Sequence, residues 1–472
     1  MSRYRLLPCI VLVFAISGPV TPGEERRTVQ DPDLDSARQK AARETDRVSR
    51  SAEDRLAEAQ YREKAAGLAL RVDAGAAASR ENAALLYYQA LLARREPDPA
   101  TADVLNALSR GGEPDLRVRA FLGRHLATIE LAQIASQMPH CHWGPMRAGE
   151  QQLDFNLGIP LRRLSRILDA DARTLAADGY TRAALARCLT LRRLAHHAAD
   201  DTYNLFSISQ SIHTLGLLAM MQVLSMGPTD RETLTWLKGQ LAAVPGTPFR
   251  PAEALHQWRE AELRFWQTRP KGRAFTRELV LEKVPDADDR KLLSTLTDDQ
   301  LLILALQGEQ KAPGRYGISA PPGLLRRARQ ACDEFLAAAL GIMNADLSYV
   351  EKRAKLLEMV ETLDDRAADG DPIALLSEAP RVVEIYHRLM VRNAVYDNLV
   401  TAAIEICLAR ATTGPFPKAL PAGLPQDLFT GRDFLYERAA ESSVLRFDPD
   451  NLSRIRVRQF EFRARKSGSR NP

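Results

Sequence analysis

The sequence predicts a mainly α-helical fold, an irregular antiparallel bundle or solenoid carrying a small C-terminal β-hairpin module. Three observations predict it. The chain is rich in Ala, Leu and Arg, and only 6% of it is aromatic, which favours helix. Apolar residues recur at helical spacing from about residue 81 to residue 412, interrupted by Pro and Gly. Residues 415–432 are then rich in Pro and Gly, and alternating strand-like runs follow.

Size and charge set outer bounds. A chain of 472 residues buries at least one large core and accommodates two or three domains. With 45% hydrophobic and 26% charged residues it has the composition of a soluble globular protein. The net charge is +5 and the two signs are interspersed, which argues against a dedicated nucleic-acid binder. The expected division is a signal peptide at 1–23, a charged linker or stalk helix at 24–75 and a helical body at 76–379. A long helix plus β-hairpin module at 380–465 and a basic tail at 466–472 complete it.

At the N-terminus, Arg3 and Arg5 precede an apolar run from Leu6 to Val20. That run is short for a membrane span and reads as a secretory signal, with an uncleaved anchor as the alternative. Cys9 lies near the start of the run rather than after it, so lipidation is rejected. Export places Cys141, Cys188, Cys332 and Cys407 in an oxidising compartment. Buried thiols are the main expectation, and a Cys141–Cys188 disulfide is the alternative.

The segment 36–71 is dense in Ala, Arg and Glu and poor in large apolar residues, which predicts a solvated helix or stalk outside the core. The body begins near Ser79, a candidate cap for a helix over 81–94 with Leu85, Tyr88 and Leu92 on its apolar face. Thr101 caps a short helix to Leu108, and one helix is expected over 115–137. The loop 138–145 precedes helices at 160–177, 181–199 and 204–226. This last pair organises the chain, because a helix as apolar as 204–226 must be wrapped by others. Thr229 and Glu232 form a capping-box pattern for a helix to Ala243, and Pro251 suits the first turn of a helix to Thr268. Thr297 and Gln300 open a helix at 301–307. Further helices follow at 324–344, 347–368 and 381–412. Strands are expected at 433–438 and 443–447. A third strand, or a basic tail, involves Arg454 to Arg458 and then Phe460 and Phe462.

Three local patterns resemble known proteins. Gly179-Tyr180-x-x-Ala183 resembles a tetratricopeptide half-unit, giving an expectation of tetratricopeptide-like helix pairs without a regular repeat. Glu81-Asn82-Ala83-Ala84-Leu85-Leu86-Tyr87-Tyr88, Cys141-His142-Trp143-Gly144 and the run Leu424 to Tyr436 together resemble an uncharacterised family of large exported bacterial helical proteins. Leu428 and Ala439 to Ser442 depart from that family's usual Pro and Gly-rich turn. The resemblance implies a fold and a compartment but no activity. The C-terminal module is more distantly similar to the core of type II secretion pseudopilins. In those, a loop such as Asp448-Pro449-Asp450-Asn451 can hold calcium; here a polar turn is the main expectation.

Residues that could carry chemistry are few. His140, Cys141 and His142 are metal-ligand types, and His196 and His197 are the candidates to approach them. The simpler expectation is a tight turn anchored by Trp143. Neither a His-Glu-x-x-His, a Gly-x-Ser-x-Gly nor a phosphate-binding glycine loop occurs. Glu260 and Glu262 stand with Trp258, Phe265 and Trp266, as a glycan-handling acid would, although core aromatics and Arg-paired glutamates are the simpler expectation. His213 and Gln210 need partners if buried. No catalytic residue and no cofactor are assigned. The leading expectation is a non-enzymatic exported scaffold for a protein or peptide partner in the cell envelope, with no nucleic acid, meeting the membrane only through an uncleaved signal. The alternatives are an envelope-polymer hydrolase with a cleft near 138–145 and 251–268 (Trp143, Trp258, Glu260), and a metal-binding protein.

Overall fold

The structure is a computed structural model describing residues 52–71, 76, 79–143, 151–199, 203–226, 229–244, 251–268, 272–311, 315–376, 382–439, 442–447 and 459–463. The signal segment, the 144–145 end of the loop, the 448–451 turn, Arg454 to Arg458 and the 466–472 tail lie outside the described residues. Within them the chain is mainly helical, with one small antiparallel sheet.

Helix α1 (Ala52–Leu70) corrects the expectation of a solvated stalk. Ala57, Tyr61, Ala65 and Ala69 are buried at fourfold spacing. This narrow seam of small residues packs against the body while the charges face out, and composition averaged over the helix conceals it. The seam is close: a Cβ on Gly123 would lie 1.9 Å from the Ala57 carbonyl oxygen.

Helix α2 (Ala83–Ala93) is capped by Asn82, whose Oδ1 accepts from Ala84 N at 3.1 Å, and not by Ser79. Its core face is also not the expected one. Ala83, Ala84, Tyr87 and Ala90 are buried, and Leu85, Tyr88 and Leu92 face outward. Helix α3 (Pro99–Ser109) starts at Asp98 rather than Thr101: Asp98 Oδ1 accepts from Thr101 N at 2.9 Å. The helix expected over 115–137 is two, α4 (Leu116–Arg124) and α5 (Leu126–Gln137). His125 breaks it. Its ring lies 2.7 Å from the Phe121 carbonyl through Nδ1 and accepts Arg95 N through Nε2 at 3.1 Å, which holds the residue out of helical geometry.

Helices α6 (Gln151–Ala177), α7 (Thr181–Ala199) and α8 (Tyr203–Ser225) form the centre. α6 runs through Pro160 instead of starting there. α8 is wrapped as its composition demands, by α6, by α7 and by the long α16 (Val383–Thr413). α16 ends where Gly414 adopts φ +88°, a conformation that costs glycine least.

Between these lie α9 (Arg231–Ala243), α10 (Pro251–Thr268), α11 (Arg277–Glu282), α12 (Ala287–Ser294), α13 (Asp298–Lys311), α14 (Pro322–Asn344) and α15 (Tyr349–Ala368), with a 3-10 turn at Pro372–Leu376. α9 is capped by Asp230, which accepts from Thr233 N at 2.8 Å, one residue beyond the expected Thr229. The capping box at Thr297 is reciprocal: Thr297 N donates to Gln300 Oε1 at 2.8 Å and Gln300 N to Thr297 Oγ1 at 3.2 Å. The apolar core falls into two clusters. One gathers α1 to α9, most of α16 and the sheet. The other gathers α10, α13 to α15, the 3-10 turn and the start of α16.

The strands β1 (Leu435–Arg438), β2 (Ser442–Arg446) and β3 (Gln459–Arg463) pair antiparallel in that order. Leu435 faces Arg446, and Ser443 faces Phe462. The third strand therefore centres on Phe460 and Phe462, which are buried, and β3 packs against α8.

Candidate functional site

The loop that carried the suggestive residues is a structural clamp. Asn82 does for it what a strand partner would do: its Oδ1 accepts from His142 N at 2.7 Å and its Nδ2 donates to the His142 carbonyl at 2.5 Å. Ala83 N donates to the His140 carbonyl at 2.9 Å. Trp143 is buried and stacks on Tyr87, with centroids 5.4 Å apart. Its Nε1 donates to the His197 carbonyl at 2.7 Å, while Tyr88 OH donates to the Trp143 carbonyl at 3.1 Å. The loop and the C-terminal end of α7 thus meet through Trp143.

His197 completes the clamp. Tyr87 OH lies 3.0 Å from its Nδ1, and the Met138 carbonyl hydrogen-bonds the ring. Burial pushes its pKa down to about 4, with Arg193 adding to the effect and Met138 opposing it. A neutral ring offers one N–H and one acceptor nitrogen, a match for a carbonyl and a hydroxyl. His140 and His142 are exposed, and His196 lies edge-on to His213 at 6.3 Å. Among the described residues no three His, Cys, Asp or Glu side chains are placed to hold a metal ion.

No disulfide joins Cys141 to Cys188; all four described cysteines are buried thiols. Burial pushes the Cys188 thiol up, and pushes Cys332 and Cys407 up to about 12, which disfavours the nucleophilic thiolate. Trp143 belongs to the first apolar cluster, whereas Trp258 packs on Tyr386 of the second. Glu260 accepts from Arg259 at 2.7 Å and from Arg329 at 2.9 Å, the Arg-paired arrangement that sequence reasoning held simpler. The motif at Leu424 to Tyr436 is also structural: Asp427 accepts from Phe429 N and from the Thr430 hydroxyl, each at 3.0 Å, closing its own turn.

A second polar assembly, absent from the sequence reading except for His213 and Gln210, lies where α7, α8 and α16 meet. Asp397 accepts from Arg192 Nη1 and, at 3.0 Å, from His213 Nε2. Burial opposes ionisation of Asp397, but His213 and Arg192 outweigh it and hold the carboxyl below its usual range. Next to it, Asn393 Nδ2 donates to Gln210 Oε1 at 2.5 Å, and Thr214 Oγ1 lies 2.5 Å from Asn393 Oδ1. Thr214, Gln210 and His213 of α8 are thus partnered across 179, 183 and 184 residues of chain.

Arg192 and Asp397 of this assembly line a cleft of about 440 Å³ between α9 and α16. Arg192 and Asp397 form its base; Lys238 and Leu241 line one wall, and Thr401 and Glu405 the other. Asp397, Thr401 and Glu405 follow each other at fourfold spacing, so one face of α16 presents them together. Lys238 Nζ bridges the rim to Glu405 Oε1 at 2.5 Å. The sequence signal for this site is Asn393 and Asp397, four residues apart in an apolar stretch of α16; it became specific only once α8 stood beside it. Ala242, Ala394, Val400 and Ile404 supply the rest of the apolar lining, and Asn398 a further polar group. No family model, curated protein or solved structure matches the chain.

Proposed function

We propose that this chain is a non-enzymatic exported scaffold that docks a protein or peptide segment of the cell envelope in the α9–α16 cleft. The observation carrying the reading is the cleft itself, lined by Arg192 and Asp397, with Asp397 held by both Arg192 and His213. A preorganised wall of this kind limits the entropy lost when a partner is ordered against it. The antiparallel run α6, α7, α8 supports tetratricopeptide-like packing of helix pairs around that surface. Export rests on the N-terminal apolar run after Arg3 and Arg5 and on the resemblance of the three motifs to exported helical proteins.

The test is affinity capture from an envelope extract with the full chain and with Thr401→Arg, which fills the exposed edge of the cleft without touching its base. The expected result is a specific partner captured by the wild type and lost by the variant, with unchanged circular dichroism. Recovery of no specific partner, or of the same partner by both proteins, would overturn the reading.

A further inference from the structure

A second surface, away from the cleft, has the composition of an interface. The outward face of α2 exposes Leu85 (59%), Tyr88 (38%) and Leu92 (86%). Spacings of three and four residues place them on one stripe. Ile159 on α6 is 48% exposed, one turn before Arg163. Glu96 ties these two elements together: it pairs with Arg94, just past α2, at 2.8 Å and with Arg163 of α6. Arg162 and Arg166 follow Ile159 at the same helical spacing as Arg163, so one stripe of α6 carries three arginines. Arg162 Nε is buried without a hydrogen-bond partner, and among the described residues no carboxylate pairs with Arg162 or Arg166. Burial and the neighbouring Arg166 push the Arg162 pKa down, so an added negative charge here would relieve repulsion.

The geometry points to this face as a docking surface for an acidic amphipathic helix of a protein partner, leucine-like side chains lying on Leu85, Tyr88, Leu92 and Ile159 and carboxylates on Arg162, Arg163 and Arg166. Charge complementarity identifies the occupant. The α6 stripe carries Arg162, Arg163 and Arg166, of which Arg163 alone is paired with a carboxylate among the described residues, and Glu96 shows how the patch seats a carboxylate between two arginines, Arg94 and Arg163. Exposed Leu and Tyr ringed by Arg is the pattern of an interface centre with a charged rim. A protein is favoured over an anionic membrane because the charges are arginines already seating a carboxylate, and arginine's planar fork matches that group. The inference rests on the scaffold reading for the kind of ligand, but not on the cleft.

The test uses the full chain and a labelled helical peptide of about 18 residues with Leu at every third or fourth position and Glu between. A matched peptide carries Lys in place of Glu. Fluorescence anisotropy is expected to show binding of the Glu peptide that weakens as salt rises from about 50 to about 300 mM, and no binding of the Lys peptide. Leu92→Ser and the double variant Arg163→Ala/Arg166→Ala are each expected to weaken it about tenfold. Both change exposed side chains, so the fold is retained, and Thr401→Arg in the cleft is expected to leave this binding unchanged. Failure to bind the Glu peptide, equal binding of both peptides, or insensitivity to the two α2–α6 variants overturns the inference. So does loss of binding in Thr401→Arg, which assigns the peptide to the cleft instead. Tighter binding to phosphatidylglycerol vesicles than to the peptide overturns it in favour of a membrane, and concentration-dependent dimerisation abolished by Leu92→Ser does so in favour of a second copy of the chain. Capture of no specific partner by the wild-type chain from the envelope extract, with the peptide results intact, would remove the cleft reading and leave this surface standing.

Discussion

Mild acid should weaken the protein through His197, and the size of the effect follows from its surroundings. The ring is neutral in the fold, with its pKa pushed from 6.5 to about 4 by burial. The folded pKa is depressed, so between about 4 and 6.5 the unfolded chain binds the proton and the folded chain does not. Stability is fully present above pH 6.5 and lost as pH falls through that window. At pH 5 the linkage amounts to about 2 kcal/mol from this residue. Protonation would also put a hydrogen on Nδ1, where Tyr87 OH now lies at 3.0 Å, and so disturb the clamp on Trp143. The assay is urea denaturation at pH 7, 6 and 5 for the wild type and His197→Gln. The variant keeps a polar side chain but has no proton to gain. Its loss between pH 7 and 5 should be smaller by about 2 kcal/mol. His387, also pushed down to about 4 by burial, remains in both proteins and cancels in the difference. Parallel curves for the two proteins would refute the argument that His197 is held neutral by the fold.

Three further outcomes are expected. Arg187→Met leaves Asp171 buried without the guanidinium that now donates to it at 2.6 Å; it should cost about 3–5 kcal/mol by urea denaturation, and Asp171→Leu in the same chain should recover much of that loss. Gly123→Ala places a Cβ against the Ala57 backbone and should loosen α1 from the body, seen as faster hydrogen exchange over 52–70 while α7 and α8 keep wild-type protection. Asn82→Ala removes the cap of α2 and both hydrogen bonds to His142; a loss of about 1–3 kcal/mol is expected by thermal or urea denaturation, and a change under about 0.5 kcal/mol would contradict the clamp.

The resemblance motifs acquire a physical meaning from these contacts. Asn82, Tyr87 and Tyr88 of the first stretch and His142 and Trp143 of the second lock together, whereas Asp427 of the third closes its own turn. The backbone of His140 and His142 takes part in these contacts, through the His140 carbonyl and the His142 N–H and carbonyl. Trp258 and Glu260 are held in the other half of the core by Tyr386, Arg259 and Arg329.

What the sequence determined by itself is local. The capping box at Thr297 and Gln300, the exact span of Pro251–Thr268 and the burial of α8 all depend on residues within a few turns of each other. Helical periodicity also shows that Leu85, Tyr88 and Leu92 share a face. It does not show which way that face points, because small alanines and Tyr87 on the opposite side pack more closely against α5 and α7. The same limit hid α1, whose alanine seam has value only where Gly123 lets it approach. Only the tertiary structure could bring Arg192 and His213 to Asp397, with 205 and 184 residues of chain between them. Burial makes each polar group require a partner, and which partner it finds is decided by how the helices stack.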